Sequence, residues 1–446
     1  MVPEQRSPSA EFHVPYDYLS PYLDGVYLAI NALPGTYLVH DAHDCGTHKA
    51  SKIAGGHDLG SDLLRWDGLH RIARTGLDSR EYVMGSDDKL SMKLAQVVER
   101  HHPDAVFVVR SSVVVFAGHD ARPVVQDAAR KTDVPIILLP DRSVARDYLS
   151  GYFDTVESLL GRVRLDGSGE RGVALAGYVF DRNEGDHHGN LAELERMVQA
   201  LGLPLGPVFL GGQRYAALNA AAPPAVVVDL AEPWSGATKL AARFGAAHCP
   251  LGLPLGIDAT EAWLRGLAAA VGGEALAEGF IDRELSALVP ELEWIVPRAF
   301  QGRGVLPFAD RLLLPPLTAM LEELDWNVVA RGLTSGDYSG VPGSAASCEP
   351  GPAEPPRFTD ELLDFVADHR RRGELSLVIG NSFLHRLLLP VGVPFVEFGF
   401  PSVTHHVLHP APFLGFHGVR VWVERMLEAL EIDALRPQVP TGKHHQ

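Results

Sequence analysis

The sequence has few cysteines and no excess of positive charge, and each shortage argues against a class of protein. Three cysteines, Cys45, Cys249 and Cys348, occur in 446 residues. That number is odd and sparse, so it does not indicate a disulfide framework, and it fits a reducing cytosol. Lysine and arginine number 39 against 56 aspartate and glutamate residues, which gives a formal net charge of −17. That balance argues against binding to nucleic acid or to an anionic membrane surface.

Long apolar runs and targeting segments are also missing. No stretch reaches the roughly 18 apolar residues that a membrane-spanning helix needs. The longest runs, such as Ala105–Val109 and Val113–Ala117, have the length of strands. The N-terminal twenty residues lack a basic region followed by an apolar one, so we expect no signal peptide and a cytoplasmic location.

Glycine is common in the chain, but it does not form phosphate-binding loops. There is no Walker A sequence and no strand–GxGxxG–helix unit followed by an acidic residue. Gly211-Gly212 and Gly272-Gly273 are interpreted as turns. We therefore expect this chain to bind neither ATP nor NAD. A Gly-x-Ser-x-Gly elbow is absent as well, which leaves hydrolase functions with little support.

The pattern that is present is repetition of one unit along the chain. Short runs rich in Val and Ile alternate with amphipathic stretches of helix length, which is typical of buried parallel strands with crossover helices. The sequence thus predicts an α/β protein with three Rossmann-like, doubly wound parallel-sheet domains around a central cleft. We predict domains at residues 1–165, 166–298 and 299–446, with a flexible insertion rich in Gly, Pro, Ser and Ala near 334–356.

The densest group of potential metal ligands follows the predicted strand Tyr37–Val39. Cys45 is the main candidate, with His43 and His48 as helpers, because thiolate and imidazole are good ligands for iron or zinc. Gly46 would let the backbone approach a cluster closely and donate N–H groups to its sulfurs. The same residues also fit a small buried cysteine in a loop with surface histidines. Their spacing matches no closed four-ligand zinc pattern.

Two further histidine groups are candidates for a substrate cleft. His187 and His188 lie in Asp186–Asn190, which follows a predicted strand and opens a predicted helix. His405 and His406 could bind a metal or an acidic substrate group. Each group has a simpler interpretation. The first fits helix capping by an Asp or Asn on a solvated turn, and the second fits a polar loop.

Several short motifs carry a resemblance to a known family. They are Leu38–Gly46, Val83–Leu90, Ser111–Asp120, Pro254–Glu261, Val378–Ser382, Val393–Phe395 with Gly399–Pro401, and Gly415–Gly418. In this order they resemble the nitrogenase component 1 superfamily, and Gly399–Pro401 is similar to its β-type and assembly-type subunits. That superfamily includes nitrogenase subunits, cofactor-assembly homologues, and the dark-operative protochlorophyllide and chlorophyllide reductases.

The resemblance assigns a cofactor-binding role to Cys45, Gly46 and Ser112. Cys45 falls on the family's cluster-ligand cysteine, but no cysteine occurs near Leu23–Val26, and serines stand at Ser111–Ser112. One cysteine cannot supply the roughly four ligands of a four-iron cluster. The resemblance therefore implies a 4Fe–4S cluster shared at a subunit interface, with most ligands coming from the partner.

For function, the resemblance implies a subunit of a two-component reductase or cofactor maturase. Its partners would be a related or identical component 1 subunit and an ATP-hydrolysing iron-protein reductase, and its substrate a small molecule or a metallocofactor. The family's active-site histidine is absent near Gly399, and its cofactor cysteine is absent near Glu232–Trp234, which argues against molybdenum-type nitrogenase activity. The alternatives are a cluster-free assembly scaffold or binding protein on the same fold and, more remotely, a glycosyl-transferring or periplasmic-binding-type α/β protein.

Overall fold

The computed structural model describes residues 11–13, 21–42, 50, 53–64, 70–85, 87–142, 146–179, 185–231, 234–334 and 358–435. The predicted insertion near 334–356 therefore lies outside the described part except for Thr334.

Short apolar segments form the strands, and in the longest of them every residue is buried. The strands are β1 Glu11–His13, β2 Thr36–Asp41, β3 Ile72–Arg74, β4 Ala105–Arg110, β5 Ile136–Leu138, β6 Val173–Ala176, β7 Leu205–Val208, β8 Val226–Asp229, β9 Ala247–Pro250, β10 Gly304–Ala309, β11 Asn327–Val328, β12 Arg331–Leu333, β13 Leu377–Gly380 and β14 Phe395–Glu397. Complete burial of β2, β4 and β10 means that both faces of their sheets are covered at these strands, as in doubly wound folds.

Helices connect the strands and cover the sheets. They are α1 Pro21–Asn31, α2 Ser79–Met84, α3 Asp87–His101, α4 Ser112–Phe116, α5 Arg122–Arg130, α6 Tyr148–Leu160, α7 Gly185–Ala200, α8 Tyr215–Asn219, α9 Ser235–Phe244, α10 Ile257–Val271, α11 Glu274–Ala299, α12 Leu314–Glu323, α13 Phe358–Arg371, α14 Ser382–Leu388 and α15 Gly415–Ala434. A π-helical turn, Ile53–His57, follows β2. None of the described helices is long and apolar enough to cross a membrane.

The described strands form three sheets in which every pairing is parallel. Their orders are β3-β2-β4-β5, β7-β6-β8-β9 and β1-β12-β10-β13-β14, with β11 also paired to β10. The α/β prediction is thereby confirmed. The N-terminal strand β1 pairs with β12 and so extends the third sheet, which no sequence pattern indicated. The domain boundaries near 165 and 298 stay predictions.

Helices α1 and α6 pack against each other in the core among the three sheets. They approach so closely that a Cβ on Gly25 would lie 1.7 Å from the carbonyl oxygen of Tyr148, and one on Gly151 would lie 2.0 Å from that of Tyr22. Only glycine fits at such a contact. Helix α6 also reaches two other sheets, because Tyr148 donates to Asp310 after β10 at 2.6 Å and Tyr152 donates to the carbonyl of Tyr178 after β6 at 3.1 Å.

One apolar run that has the length of a strand folds differently. Within Val113–Ala117, residues up to Phe116 belong to the short helix α4. Ser111 begins this helix, since its hydroxyl accepts from the backbone N–H of Val114 at 3.5 Å. The strand β4 ends just before it at Arg110, so the cap decides the local structure over the β-branched composition.

Candidate functional site at the carboxyl ends of the sheets

The predicted segment Asp186–Asn190 lies in the first two turns of α7, beyond the carboxyl end of β6. His187 is buried, and its Nδ1 lies 2.9 Å from the Tyr178 hydroxyl. Burial, with a smaller contribution from neighbouring His188, lowers the pKa of His187 to about 3, so its ring is neutral at physiological pH. His188 is exposed, and the two rings are 5.6 Å apart. His187 is therefore a buried histidine with a packing role, whereas the side chain of His188 is accessible to a ligand from solvent.

The segment containing His405 and His406 follows β14 and runs back across α7. The N–H of Gly185 donates to the carbonyl of Val407 at 2.6 Å, and the N–H of Ala411 donates to the carbonyl of Gly185 at 3.0 Å. Further along, the Asn190 side chain accepts from the N–H groups of Phe413 and Leu414. The structure thus brings the two predicted histidine segments together through their backbones, although they lie more than two hundred residues apart in the sequence.

Glu397, at the end of β14, organises the start of this segment. Its carboxylate accepts from the hydroxyls of Ser382, Ser402 and Thr404 and from the backbone N–H of His405 at 3.1 Å. Burial by itself would raise the pKa of Glu397. His385, 3.8 Å away, and the hydroxyl donors outweigh burial and hold that pKa well below its ordinary value. Glu397 is thus an ionised anchor for the histidine segment.

The π-helical turn after β2 contacts the same segment from the first sheet. The N–H of Ser402 donates to Nδ1 of His57 at 3.0 Å, and the His57 ring meets Phe400 edge-on with centroids 4.7 Å apart. The peptide between Phe400 and Pro401 is cis. Through these contacts, the turn Ile53–His57 is joined to Phe400–Ser402, which immediately precede the segment with His405 and His406.

The principal predicted ligands lie outside the described residues. They are His43, Cys45, Gly46 and His48. Ser112 is described as the first residue of α4, half-buried. No group of three or more His, Cys, Asp or Glu side chains within the described part is arranged to hold a metal ion. A complete set of cluster ligands is therefore not available among the described residues.

Sequence reasoning missed a cleft lined with arginines where loops from all three sheets converge. We call it the arginine cleft. Its wall consists of Arg142, Arg146, Ser150, Phe153, Asp154, Glu157, Ala231, Trp234, Ser235, Arg311 and Leu312. Arg142 follows β5, Trp234 follows β8 and Arg311 follows β10, while α6 forms the floor. In parallel α/β sheets, the loops beyond the carboxyl ends of the strands are where ligands usually bind.

A short sequence signal could have indicated this cleft. The dipeptide Asp-Arg follows a buried strand twice among the described residues, as Asp141-Arg142 and as Asp310-Arg311. Asp310 is fully buried and accepts from Tyr148, while Arg311 continues into the cleft wall. A buried carboxyl such as Asp310, followed by an arginine that is only 14% exposed, is unusual and indicates a site, whereas Asp141 and Arg142 are exposed.

Comparison with known proteins defines the class to which this fold and these strand-end loops belong. Residues 25–431 match the family described as nitrogenase component 1 type oxidoreductases. The chain is a member of that family.

Individual relatives match over shorter parts. The nitrogenase iron-molybdenum cofactor biosynthesis protein NifE of Rippkaea orientalis is 38% identical over 63 residues, which is 14% of this chain and 13% of that protein. The light-independent protochlorophyllide reductase subunit N of Roseiflexus castenholzii is 27% identical over 243 residues, which is 52% of this chain and 53% of that one. The chain thus spans about half the length, or less, of these curated relatives.

Among solved structures, one entitled "Nitrogenase Cp1 at pH 6.5" superposes with a TM-score of 0.71. The match covers 95% of this chain and 95% of that one, with 16% sequence identity. At that identity the superposition establishes the fold alone.

Proposed function

We propose that this chain is one subunit of a nitrogenase-like two-component oxidoreductase or cofactor maturase. It would receive electrons from an ATP-dependent iron protein through an iron–sulfur cluster shared with a related or identical subunit. Family membership over residues 25–431 supports the class. One relative is named for cofactor biosynthesis and another for protochlorophyllide reduction, and these are the two kinds of reaction that the proposal includes.

The observation that carries the proposal is the pairing of β2 with β4. Asp41 and Arg110 are register partners at the carboxyl ends of these neighbouring strands, so the chain leaves the sheet twice on the same edge. Cys45 follows Asp41 by four residues in the sequence, and Ser112 follows Arg110 by two. A thiolate from the first segment and a hydroxyl from the second are donors of the kind a cluster edge needs.

The donor set also limits the proposal. A four-iron cluster takes about four thiolate ligands, and this segment of the sequence offers one cysteine. The residues of this chain therefore do not fit a cluster that it would hold by itself, and a partner subunit has to provide the remaining ligands. The absence of a Walker A sequence agrees with ATP hydrolysis on a separate iron protein. The sparse cysteines agree with a cytoplasmic location.

The serines at Ser111 and Ser112 favour a second candidate function. Ser111 acts as the N-cap of α4, so this position is used structurally. A component 1 chain that has lost ligands in this way would serve as a cluster-free assembly scaffold or binding protein on the same fold. The two candidates differ in whether Cys45 is needed for metal.

Substitution of Cys45 separates the candidates. We would prepare the chain anaerobically together with its partner subunit and compare Cys45→Ala with Cys249→Ala. Cys249 is a suitable control because it is a buried free thiol in β9 of the second sheet, whereas the proposed ligand segment follows β2 of the first sheet in the sequence. Iron content, sulfur-to-iron charge-transfer absorbance and co-purification of the partner are measured for each variant.

Each result favours one candidate. Loss of iron and absorbance in Cys45→Ala, with both retained in Cys249→Ala, supports the shared cluster. A complex that contains no iron in the unsubstituted protein, yet assembles equally well with Cys45→Ala, rejects the cluster and supports the scaffold.

A further inference from the structure

We propose that the arginine cleft is a binding site for a small oxyanion, the carboxylate or phosphate group of a ligand that enters from solvent. The proposal concerns the described cleft wall and does not depend on the cluster or on Cys45. It rests on the charges in the wall, on incomplete pairing of two arginines and on the size of the cavity.

The positive charges in the wall exceed the negative ones. Arg142 is neutralised by Asp154, which it contacts at 3.1 Å and which also accepts from Tyr22 at 3.0 Å. Glu157 at the rim is paired outside the cleft with Lys239. Arg146 then has no ion-pair partner among the described residues, and Arg311 has only a long ion pair with Asp147, at 3.9 Å. Within the wall itself, three arginines stand against two carboxylates, in a chain whose net charge is −17.

Arg311 is held in place without having its hydrogen bonds completed. Its side chain is 14% exposed, and its nearest carboxylate, Asp147, lies 3.9 Å away, beyond hydrogen-bond distance. Nε of Arg311 and Oδ2 of Asp147 are both buried and have no hydrogen-bond partner among the described residues. Asp147 is fixed by its other oxygen, which accepts from the N–H and hydroxyl of Ser150. A guanidinium in this state still has donors to offer to an incoming oxyanion.

Arg146 also has donors to offer. It is half-buried and takes part in no ion pair with the described part of the chain. It precedes the helix α6, whose first residue is Tyr148. Arg146, which has no ion pair with the described residues, and Arg311, whose Nε has no hydrogen-bond partner among them, can bind the two sides of one carboxylate or phosphate, which their planar donor geometry suits.

The size and shape of the cavity limit the ligand. Its volume of about 60 Å³ is enough for an oxyanion group. Phe153 and Trp234, with ring centroids 5.2 Å apart, and Leu312 give the cleft an apolar side. Arg142 is exposed, so the cleft opens on its side, where the remainder of the ligand would extend. Asp154 and Glu157 in the same wall disfavour a highly charged polyanion.

The test is calorimetric titration of the full chain, or of its complex with a partner subunit, in a buffer free of oxyanions. Inorganic phosphate and succinate are the two probes, and sodium chloride at matched ionic strength is the reference. Arg146→Gln and Arg311→Gln each remove one proposed contact, and Arg371→Gln, on an exposed stretch of α13, is the matched control. We expect saturable binding that weakens about tenfold or more in the first two variants and stays unchanged in the control.

The relative affinity for the two probes identifies the kind of ligand, and the variants test the site itself. Preference for succinate identifies a carboxylate ligand, and preference for phosphate identifies a phosphate ligand. If Arg311→Gln unfolds, Arg146→Gln on the cleft's more accessible side still tests the site, with the circular dichroism spectrum as the check on folding. Absence of saturable binding to both probes overturns the proposal. So does binding that all three variants retain equally.

Discussion

The backbone N–H of Gly185 donates to the carbonyl of Val407 over 2.6 Å, which joins the first turn of α7 to the histidine segment that follows β14. The contact is possible because Gly185 lacks a side chain. A Cβ there would lie 1.8 Å from the carbonyl oxygen of His409. Two segments that sequence patterns treat separately are therefore one structural unit.

Substitution Gly185→Ala tests this unit. Because the new methyl group meets backbone and not a flexible side chain, we expect a loss of about 1–3 kcal/mol in the free energy of unfolding. Gly279→Ala is the control, since it lies in the helix α11 and a Cβ there would meet only the end of the Arg283 side chain, 4.0 Å away. Alanine there should be neutral or gain up to about 1 kcal/mol. Urea unfolding curves measure both, and equal stability of the two variants would contradict the close contact.

His187 predicts a specific dependence of stability on pH. Its folded pKa of about 3 lies below the ordinary value of 6.5, so the unfolded chain binds a proton in that interval and the folded chain does not. Stability should therefore fall as pH decreases from about 6.5 towards 3, by roughly 1.4 kcal/mol per unit from this group. His187→Phe should remove this part of the slope, whereas His188→Gln, at an exposed position, should keep it. Identical slopes in the two variants, measured by denaturant unfolding from pH 7 to 4, would show that His187 titrates normally.

Glu397 also makes the folding stability depend on pH in the acid range, in this case through the lowered pKa of its carboxyl group. Its folded pKa is lowered, so its stabilisation is complete above the unfolded value of about 4.3 and is lost as pH falls through the folded pKa. Glu397→Gln replaces one acceptor oxygen by a donor that faces hydroxyls, and we expect a cost of about 2–3 kcal/mol at pH 7. The gap between the variant and the unsubstituted protein should narrow below about pH 4.

Glu424→Gln is the matched control for Glu397, since Glu424 is exposed on α15. Its effect should stay within about 0.5 kcal/mol at all pH values. A deficit in Glu397→Gln that is the same at pH 7 and pH 3 would mean that the charge of the carboxylate adds no stability.

The strands that are buried on both faces could be predicted from the sequence for a physical reason. Strands such as β4, Ala105–Arg110, are buried on both faces and therefore appear as continuous apolar runs. Three helices had no such signal. In α1 and α6 most residues are buried on every side, so the amphipathic period is missing. In α11 the internal prolines Pro290 and Pro297 argue for breaks, although the helix continues through both.

The candidate site was predictable only in part. The histidine segments were found because histidines cluster in the sequence, but nothing local indicates that Gly185 and Val407 meet. The arginine cleft depends on Arg146, Trp234 and Arg311, which belong to loops from different sheets. Such a site is created by tertiary packing of the strand ends and has no pattern at any single place in the chain.

Two tyrosines one turn apart on α6 allow two buried hydrogen bonds to be compared, one to a carboxylate and one to a backbone carbonyl. Tyr148 donates to the carboxylate of buried Asp310 at 2.6 Å, while Tyr152 donates to the neutral carbonyl of Tyr178 at 3.1 Å. Tyr148→Phe should cost about 1.5–3 kcal/mol, and Tyr152→Phe about 1 kcal/mol, because hydrogen bonds to charged groups are the stronger ones.

The pH dependence of this pair identifies the role of the carboxylate. Burial raises the pKa of Asp310 above its ordinary value, and the Tyr148 hydroxyl opposes that rise. Removing the hydroxyl should raise the pKa further, so the deficit of Tyr148→Phe is complete at high pH and shrinks as acid protonates Asp310. The deficit of Tyr152→Phe should not change with pH, since its acceptor does not titrate. Denaturant unfolding of both variants at pH 8 and pH 5 measures this, and parallel deficits at the two pH values would show that Asp310 is not the group that Tyr148 stabilises.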